Sequence, residues 1–331
     1  MYNVTKIYDF VIMNDNTEIT LAFLNYNTGD ELLLALDSVD EAIEGVYAHV
    51  VVIDNGSTDD SVAKIKSSGK EVEIISLPNN TGFASAFNRI FSYVVTPYYL
   101  LLNSDIILNP GCVKKMLDEF KSFPDAGLAG VALEREDGSI QNSYGVYPSL
   151  ASELINRSLW QKLKCRCSTF DVRRLEEQSA FPVDCVVGAV MLVSREALEK
   201  AGGLDERFFF FLEETDWCKR INESGLKVIH LPGIKVTHLQ GKAANKAPVR
   251  ARIEFHKSRL LFFEKHYGKF AASVLRAGTV FRLFINLIAQ LIMTVLTLGL
   301  VRKTRLRTVL YAGLLGWYFS GCPSSQGLGK P

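Results

Sequence analysis

Four short segments rich in β formers, solidly apolar except for Glu73 and Ser76 in the third and Thr20 and Asn25 in the first, constrain this chain more than any other feature. They are Ile19–Tyr26 (ITLAFLNY), Val50–Ile53 (VVVI), Val72–Leu77 and Tyr98–Leu102 (YYLLL). A strand with one wet face alternates apolar and polar residues. Runs without that alternation fit a parallel sheet covered on both faces. Helical spacing fills the intervals. Leu and Val recur over Glu31–Ala42, a helix through Ala63 and Ile65 follows the caps Ser57, Thr58 and Asp59, another through Phe87 and Ile90 follows Asn79-Asn80-Thr81-Gly82, and Pro110 opens the next. Strand–helix alternation of this kind predicts an open α/β sheet, which binds ligands beyond the carboxyl ends of its strands. Asn25 and Asn27, Asp54 and Asp105 follow three different strands and so converge on that rim.

The rest of the chain is less regular. Gly127–Leu133 reads as a further strand, Ser139–Ser179 as loop and short helices, and Val186–Val193 as another apolar run, followed by a helix Arg195–Ala201 that Gly202-Gly203 ends. Phe208–Arg220 (FFFFLEETDWCKR) sets four rings against three acids and feeds a helix toward Gly225. Lys227–His230 and Ile234–His238 read as two strands. There is no internal repeat.

The tail changes character. Leu283–Val301 carries no charge over 19 residues, although it holds Asn286, Gln290, Thr294 and Thr297. Arg302, Lys303, Arg305 and Arg307 follow at once, and a second apolar stretch, Val309–Phe319, is too short to span a bilayer. The last acid of the chain is Glu264. From Ala271 onward there are seven Lys/Arg and no Asp/Glu, which leaves 30 basic and 36 acidic residues in the first 270. An acidic body with a basic, apolar tail predicts contact between the tail and an anionic membrane surface, as an embedded or in-plane hairpin. The alternative is a helical pair packed on the globular part. The net charge of +1 gives no global field for nucleic acid. Six scattered cysteines form no CxxC pair, and Cys165-Arg-Cys167 is too little for a zinc site, so reduced thiols are expected. The N-terminal stretch, with Asp9 and Asp15, is no secretory signal, which points to a cytoplasmic chain held at a membrane.

The usual phosphate-binding signatures, GxxxxGK and GxGxxG, are absent. An acid after a buried strand can instead hold a divalent ion that bridges a diphosphate, and Asn103-Ser104-Asp105 is placed for that. A helix-capping turn would use the same residue types.

Taken in order and spacing, "LNYN", "VVVIDNGSTDDS", "NNTGFASAFN", "LLNSD", "VVGAVMLVSREALEKAGGLDERFF" and "EETDWCKR" resemble the inverting glycosyltransferases of family 2, in particular the rhamnosyltransferase type that builds bacterial surface polysaccharides such as O-antigen and cell wall. The likeness covers roughly Ile19 to Tyr267. It implies a GT-A fold, a Rossmann-like nucleotide-binding sheet with an acceptor-side half, here followed by membrane-associating helices. The expected division is an extension over 1–18, a nucleotide-sugar half over 19–130, an acceptor and catalytic half over 131–270, and the membrane-associating tail over 271–331.

The resemblance also implies roles. Asp54 reads the nucleotide base, with Asn25 and Asn27 lining the same pocket. Asn80, Gly82 and Asn88 lie beside the nucleotide-sugar, as do Asn103 and Ser104. Asp105 is the last acid of the metal-binding motif. Asn103 replaces that motif's first acid, leaving one negative charge fewer for Mg²⁺ or Mn²⁺. His238 contacts the ion or the diphosphate. Gly188, Ala189 and Trp217 belong to the acceptor side. Glu214 is the second member of the family's acidic pair and the general base, with Glu213 and Asp216 orienting or capping. On a helix, 213 and 216 share a face and 214 does not. A base works best with its pKa raised toward neutrality, which an apolar wall achieves by desolvation, and Phe208–Phe211 can supply that wall. Acids at a helix N-terminus are also favoured without any chemistry. Arg220, Lys242 and Lys246 have the charge to meet phosphate, although a place on the solvated surface is the expectation for each. The implied function is transfer of a sugar, L-rhamnose from dTDP-L-rhamnose, to a lipid-linked saccharide at the cytoplasmic face of the inner membrane. A nucleotidyltransferase making an activated sugar, or an inactive membrane scaffold, are the competing readings.

Overall fold

The computed structural model describes residues 16–155, 179–239 and 248–328. The chain divides into two compact units, one of Met1–Tyr147, Ser168–Glu206 and Glu214–Gly241, the other of Pro148–Cys167, Arg207–Glu213 and Lys242–Pro331. Most of the expected N-terminal extension, Cys165 and Cys167, Lys242, Lys246 and much of the Ser139–Ser179 stretch lie outside the described residues.

The first unit begins with β1 (Ile19–Asn25), α1 (Gly29–Asp37), α2 (Val39–Ala42), β2 (Ala48–Asp54), α3 (Ser61–Ser67), β3 (Glu73–Ser76), α4 (Phe83–Tyr93), β4 (Tyr98–Asn103), β5 (Ile106–Ile107), α5 (Cys112–Lys121) and β6 (Ala126–Glu134). It continues through β7 (Tyr144–Gly145), β8 (Phe181–Pro182), β9 (Cys185–Val186), β10 (Val190–Ser194), α7 (Arg195–Ala201), α8 (Glu213–Glu223, whose first residue groups with the second unit) and β11 (Lys227–His238). Among the described residues nine strands form one sheet in the order β3-β2-β1-β4-β10-β6-β11-β5, with β8 beside β11. The β3-β2-β1-β4 part is parallel, and β10 runs antiparallel between β4 and β6. Every residue of β1 but one is buried, as the solid apolar run requires. Ile19, Leu21, Phe23, Val52, Leu100 and Leu102 join Leu32, Leu36, Met116 and Phe120 from the helices in one core. Each such side chain contributes about 1.5–3 kcal/mol on burial.

Local details depart from the expected pattern. The Glu31–Ala42 helix is two, α1 and α2, joined at Ser38. The segment α3 starts at Ser61, and Asp59 accepts the Ser61 backbone N–H at 3.1 Å. Pro110 precedes the helix without opening it, because Gly111, in a left-handed conformation (φ 65°), is the N-cap of α5. The two strands expected over residues 227–238 are one, β11. Its pairing with β6 jumps from Leu231–Val131 to Lys235–Ala132, so Pro232-Gly233 is carried in a bulge.

In the second unit α6 (Leu150–Leu154), α9 (Pro248–Leu296) and α10 (Arg302–Phe319) pack together. The long helix α9 is interrupted at Gly268 (φ 83°). Phe208, Phe262, Phe263, Ala271 and Leu275 form one cluster, and Ile253, Leu283, Leu314, Leu315, Trp317 and Tyr318 another. The outer apolar face is uncovered. Phe281 is 68% exposed, Val295 and Leu296 73%, and Leu298 84%. In length and composition α9 is able to cross a membrane. An apolar surface of this extent marks a binding surface.

Candidate active site

The ends of β1, β2 and β4 carry the polar residues. Asn25 is directly opposite Asp54 in the β1–β2 ladder, and Leu24 is opposite Asn103 in the β1–β4 ladder. Asn25 is fully buried and fully engaged. Its amide nitrogen donates to Asp54 Oδ1 (2.8 Å) and Ser57 Oγ (3.0 Å), and its oxygen accepts from the Thr28 hydroxyl (2.9 Å). Asp54 Oδ2 accepts the Ser57 backbone N–H at 3.3 Å. A carboxylate has about four acceptor sites, so Asp54 keeps capacity for a base N–H while its orientation is held by protein. Asn27 adopts φ 56°, a conformation asparagine tolerates, and its Oδ1 caps the next loop by accepting from the N–H groups of Thr58 (2.8 Å) and Asp59 (3.2 Å).

Asn55, which sequence reasoning passed over, organises the third loop. Its side chain donates to Asn80 Oδ1 (3.0 Å) and accepts the Thr81 N–H (2.9 Å), while Asn80 also accepts the Gly82 N–H (2.9 Å). Gly56 lets this loop come close. Its φ is +73°, and a Cβ there would stand 2.5 Å from the Asn79 backbone. Asn88, expected beside the nucleotide-sugar, is a staple instead. Its amide accepts the Leu204 N–H (2.9 Å) and donates to the Leu204 carbonyl (2.8 Å) and to Glu206 (3.0 Å).

Asp105 and His238 meet because β5 pairs with the end of β11, Ile106 opposite His238. His238 Nε2 is 3.4 Å from Asp105 Oδ1. Gln141, also absent from the sequence expectations, sets the ring. Its Nε2 donates to the His238 carbonyl (2.6 Å), so its Oε1 must be the acceptor facing His238 Nδ1 (3.0 Å), and the proton of a neutral ring sits on Nδ1. The Nε2 lone pair then converges with the Asp105 carboxylate, an arrangement suited to a cation. Two protein donors fit an ion that takes its remaining ligands from phosphate and water, as Mg²⁺ and Mn²⁺ commonly do. The described residues hold no cluster of three or more His, Cys, Asp or Glu that would make an all-protein cage.

Glu214, the second residue of α8, comes to the same strand ends from a helix. The Asn103 backbone N–H donates to the Ala189 carbonyl (3.0 Å), which fixes the turn Gly188-Ala189 beside the strand end that carries Asn103-Ser104-Asp105. A Cβ on Gly188 would lie 3.5 Å from Glu214 Cβ and Cγ and from the Phe83 ring. Cys185 and Cys218 are near enough to sense the Glu214 charge, and burial holds both thiols protonated, pushing Cys218 up to about 12. Part of the Glu214 surface is open, while its carboxyl is set among packed protein atoms. Burial therefore raises its pKa, opposed only by hydrogen bonds from its own backbone N–H and from Thr215.

Further expectations are corrected here. Trp217 does not face the acceptor side. It is 0% exposed, its Nε1 donates to the Gly202 carbonyl (2.8 Å), and its ring packs on Phe91. Asp216 is 0% exposed and takes the Arg220 Nε at 2.9 Å, so it supports the helix from within. Arg220 is no phosphate ligand. It donates to the carbonyls of Ala201 and Gly203 and so clamps α8 to the end of α7. Glu213 is buried. Phe208, expected to wall the base, packs with Phe262 and Phe263 in the core of the second unit. Phe211 and Leu212, both at positive φ (74° and 67°), make the tight turn into α8.

Residues 21–202, more than half of the chain, match the family described as glycosyl transferase family 2. The chain belongs to that family. It is similar to the N-acetylglucosaminyl-diphospho-decaprenol L-rhamnosyltransferase of Mycobacterium tuberculosis, 27% identical over 260 residues that cover 74% of this chain and 84% of the relative. Solved structures share its GT-A fold. The mannosyltransferase PcManGT of Pyrobaculum calidifontis, in complex with GDP-Man and Mn²⁺, is 15% identical with a TM-score of 0.50 and covers 94% of this chain and 90% of its own. GalNAc-T7 with UDP, GalNAc and Mn²⁺ is 13% identical with a TM-score of 0.53. That likeness covers 69% of this chain and 44% of the GalNAc-T7 chain. Family 2 membership thus agrees with a sheet whose strand ends carry Asp54 and Asp105, and with the resemblance read from the motifs.

Proposed function

We propose that this glycosyltransferase moves a sugar with inversion from a nucleoside-diphosphate donor, dTDP-L-rhamnose, to a lipid-linked saccharide during surface-polysaccharide synthesis. The observation that carries the reading is that one sheet carries Asp54 and the facing pair Asp105 and His238 at its strand ends, while α8 brings Glu214 against Gly188, in the turn bonded to Asn103. The relative that acts as an L-rhamnosyltransferase on a diphospho-decaprenol sugar supports the donor and the lipid-linked acceptor. Residues 19–130 then form the nucleotide-sugar half and 131–270 the acceptor half, with 271–331 holding the enzyme to the cytoplasmic face of the membrane.

Each side chain has a task in a single displacement. Asp54, held by Asn25 and Ser57, accepts from the base. Asn27, Asn80, Gly82, Asn103 and Ser104 shape the walls for ribose and diphosphate. Asp105 and His238 would hold Mg²⁺ or Mn²⁺, which would supply positive charge against the leaving diphosphate. Gly188 and Ala189 leave room for the acceptor hydroxyl. Glu214 takes the hydroxyl proton while the oxygen bonds to the anomeric carbon and the sugar–phosphate bond breaks, its electron pair leaving on the diphosphate. Attack opposite the leaving group inverts the anomeric centre.

The exposed apolar face of α9 and α10, with four basic residues following its turn, supports a place at an anionic bilayer. The test is to mix the full chain with Mn²⁺, a panel of nucleotide sugars and polyprenyl-diphospho-N-acetylglucosamine. The reading predicts release of a nucleoside diphosphate and a lengthened lipid with inverted linkage. Release of pyrophosphate would identify a nucleotidyltransferase, and absence of any nucleotide-sugar binding would identify a scaffold.

A further inference from the structure

The backbone ladder between β1 and β4 stops at the Leu24–Asn103 pair, and side chains continue the connection beyond it. Thr28 is at the centre of that continuation. Its hydroxyl donates to Asn25 Oδ1 (2.9 Å), and it is 2.7 Å from the Ser104 hydroxyl. The hydrogen-bond direction is fixed at every link. Both protons of the Asn25 amide go to Asp54 and Ser57, so Asn25 Oδ1 can only accept, and Thr28 must be the donor to it. Thr28 has one hydroxyl proton, so the Ser104 hydroxyl must donate to Thr28. The result is a directed chain from Ser104 to Thr28 to Asn25 to the carboxylate of Asp54. Asn25, Asp54, Ser104 and Asp105 are all buried, and in such surroundings consecutive hydrogen bonds strengthen one another.

We propose that Thr28 is a positioning residue that couples nucleobase binding at Asp54 to the loop carrying Asp105. The inference rests on the reading of Asp54 as base-binding and of Asp105 as an ion ligand. A base N–H that draws on the Asp54 carboxylate changes the acceptor at one end of the chain, and Ser104, next to Asp105, is the donor at the other. The base and the ion are then linked through protein as well as through the diphosphate they share. Coupling of this kind is reciprocal, so the ion tightens the base by the factor with which the base tightens the ion.

The experiment measures Mn²⁺ affinity of the full chain by calorimetry, once with saturating nucleoside diphosphate (dTDP, UDP or GDP, whichever raises the melting temperature most) and once with pyrophosphate, which has no base. The ratio of the two affinities reports the nucleoside, base and pentose together, and its change between variants cancels the extra charge of pyrophosphate and whatever the pentose contributes equally to both proteins. Thr28→Val keeps the shape and removes the hydroxyl, and Thr28→Ser keeps the hydroxyl. The ratio is expected to fall about fivefold or more in Thr28→Val and to be retained in Thr28→Ser. Ser104→Ala, which cuts the chain at its other end, is expected to lose the ratio likewise and serves if Thr28→Val does not fold. A wild-type ratio in a folded Thr28→Val or Ser104→Ala protein overturns the coupling alone. A wild-type protein that binds no nucleoside diphosphate overturns the nucleotide-sugar reading and the coupling with it.

Discussion

Replacing Arg220 by Met tests how α8, and therefore Glu214, is held. The guanidinium joins the buried Asp216 carboxylate to the carbonyls of Ala201 and Gly203, and Trp217 binds the Gly202 carbonyl between them. Removing one partner of a buried ion pair costs about 3–5 kcal/mol, because the other charge remains desolvated. Arg220 keeps 19% of its side-chain surface exposed, and water can enter there, so the lower end, about 3 kcal/mol, applies. At roughly 2–4 °C per kcal/mol for a unit of this size, Arg220→Met lowers the melting temperature by about 6–12 °C. Adding Asp216→Leu in the same chain recovers about half or more of the loss, since an apolar residue replaces a buried charge at little cost. Circular dichroism melts measure both. The proposed donor pocket lies at the ends of β1, β2 and β4, away from this clamp, so nucleotide affinity is expected to be unchanged in Arg220→Met while transfer slows. Melting of Arg220→Met within about 2 °C of wild type would refute the clamp.

Gly56→Ala forces a Cβ to 2.5 Å from the Asn79 backbone at a φ that alanine resists, so it is expected to cost about 1–3 kcal/mol and to weaken nucleotide binding, read by melting and calorimetry. The folded protein holds a proton on Glu214 more tightly than the unfolded chain, because burial raises the pKa above the ordinary 4.5. Ionising Glu214 therefore opposes folding, and its stability penalty grows as pH rises from 4.5 through the raised value and persists above it. Glu214→Gln is expected to melt above wild type at mildly alkaline pH and level with it below 4.5, and equal melting across the range would contradict the desolvation. Changing Arg302, Lys303, Arg305 and Arg307 together to Gln removes about 1 kcal/mol each at an anionic surface, and binding to phosphatidylglycerol vesicles at low salt should fall by about three orders of magnitude. Equal binding of the wild-type chain to neutral and anionic vesicles would contradict that orientation of the tail.

The parts of the site that sit at strand ends were legible in the sequence. A solid apolar run has to be an interior strand, its first polar residue has to emerge at the rim, and this placed Asn25, Asp54 and Asp105 without coordinates. Thr28, Asn55 and Gln141 were not legible, because their partners are Ser104, Thr81 and His238, brought near by sheet order and not by chain spacing. Trp217 departs from its expected place for a related reason. Helical spacing tells which residues share a face, but not whether the face looks into a cleft or into α7. Strand β11 was read as two because Pro232-Gly233 ends most strands, and only its pairing with β6 shows the bulge that absorbs them.

The central claim, that Glu214 is the base, is tested most directly by turnover of Glu214→Gln with donor, Mn²⁺ and the polyprenyl acceptor, alongside its affinity for the donor. Donor affinity is expected to be unchanged and turnover to fall about 10²–10⁴-fold, the usual contribution of a positioned general base. Turnover above about a tenth of the wild-type rate would contradict it.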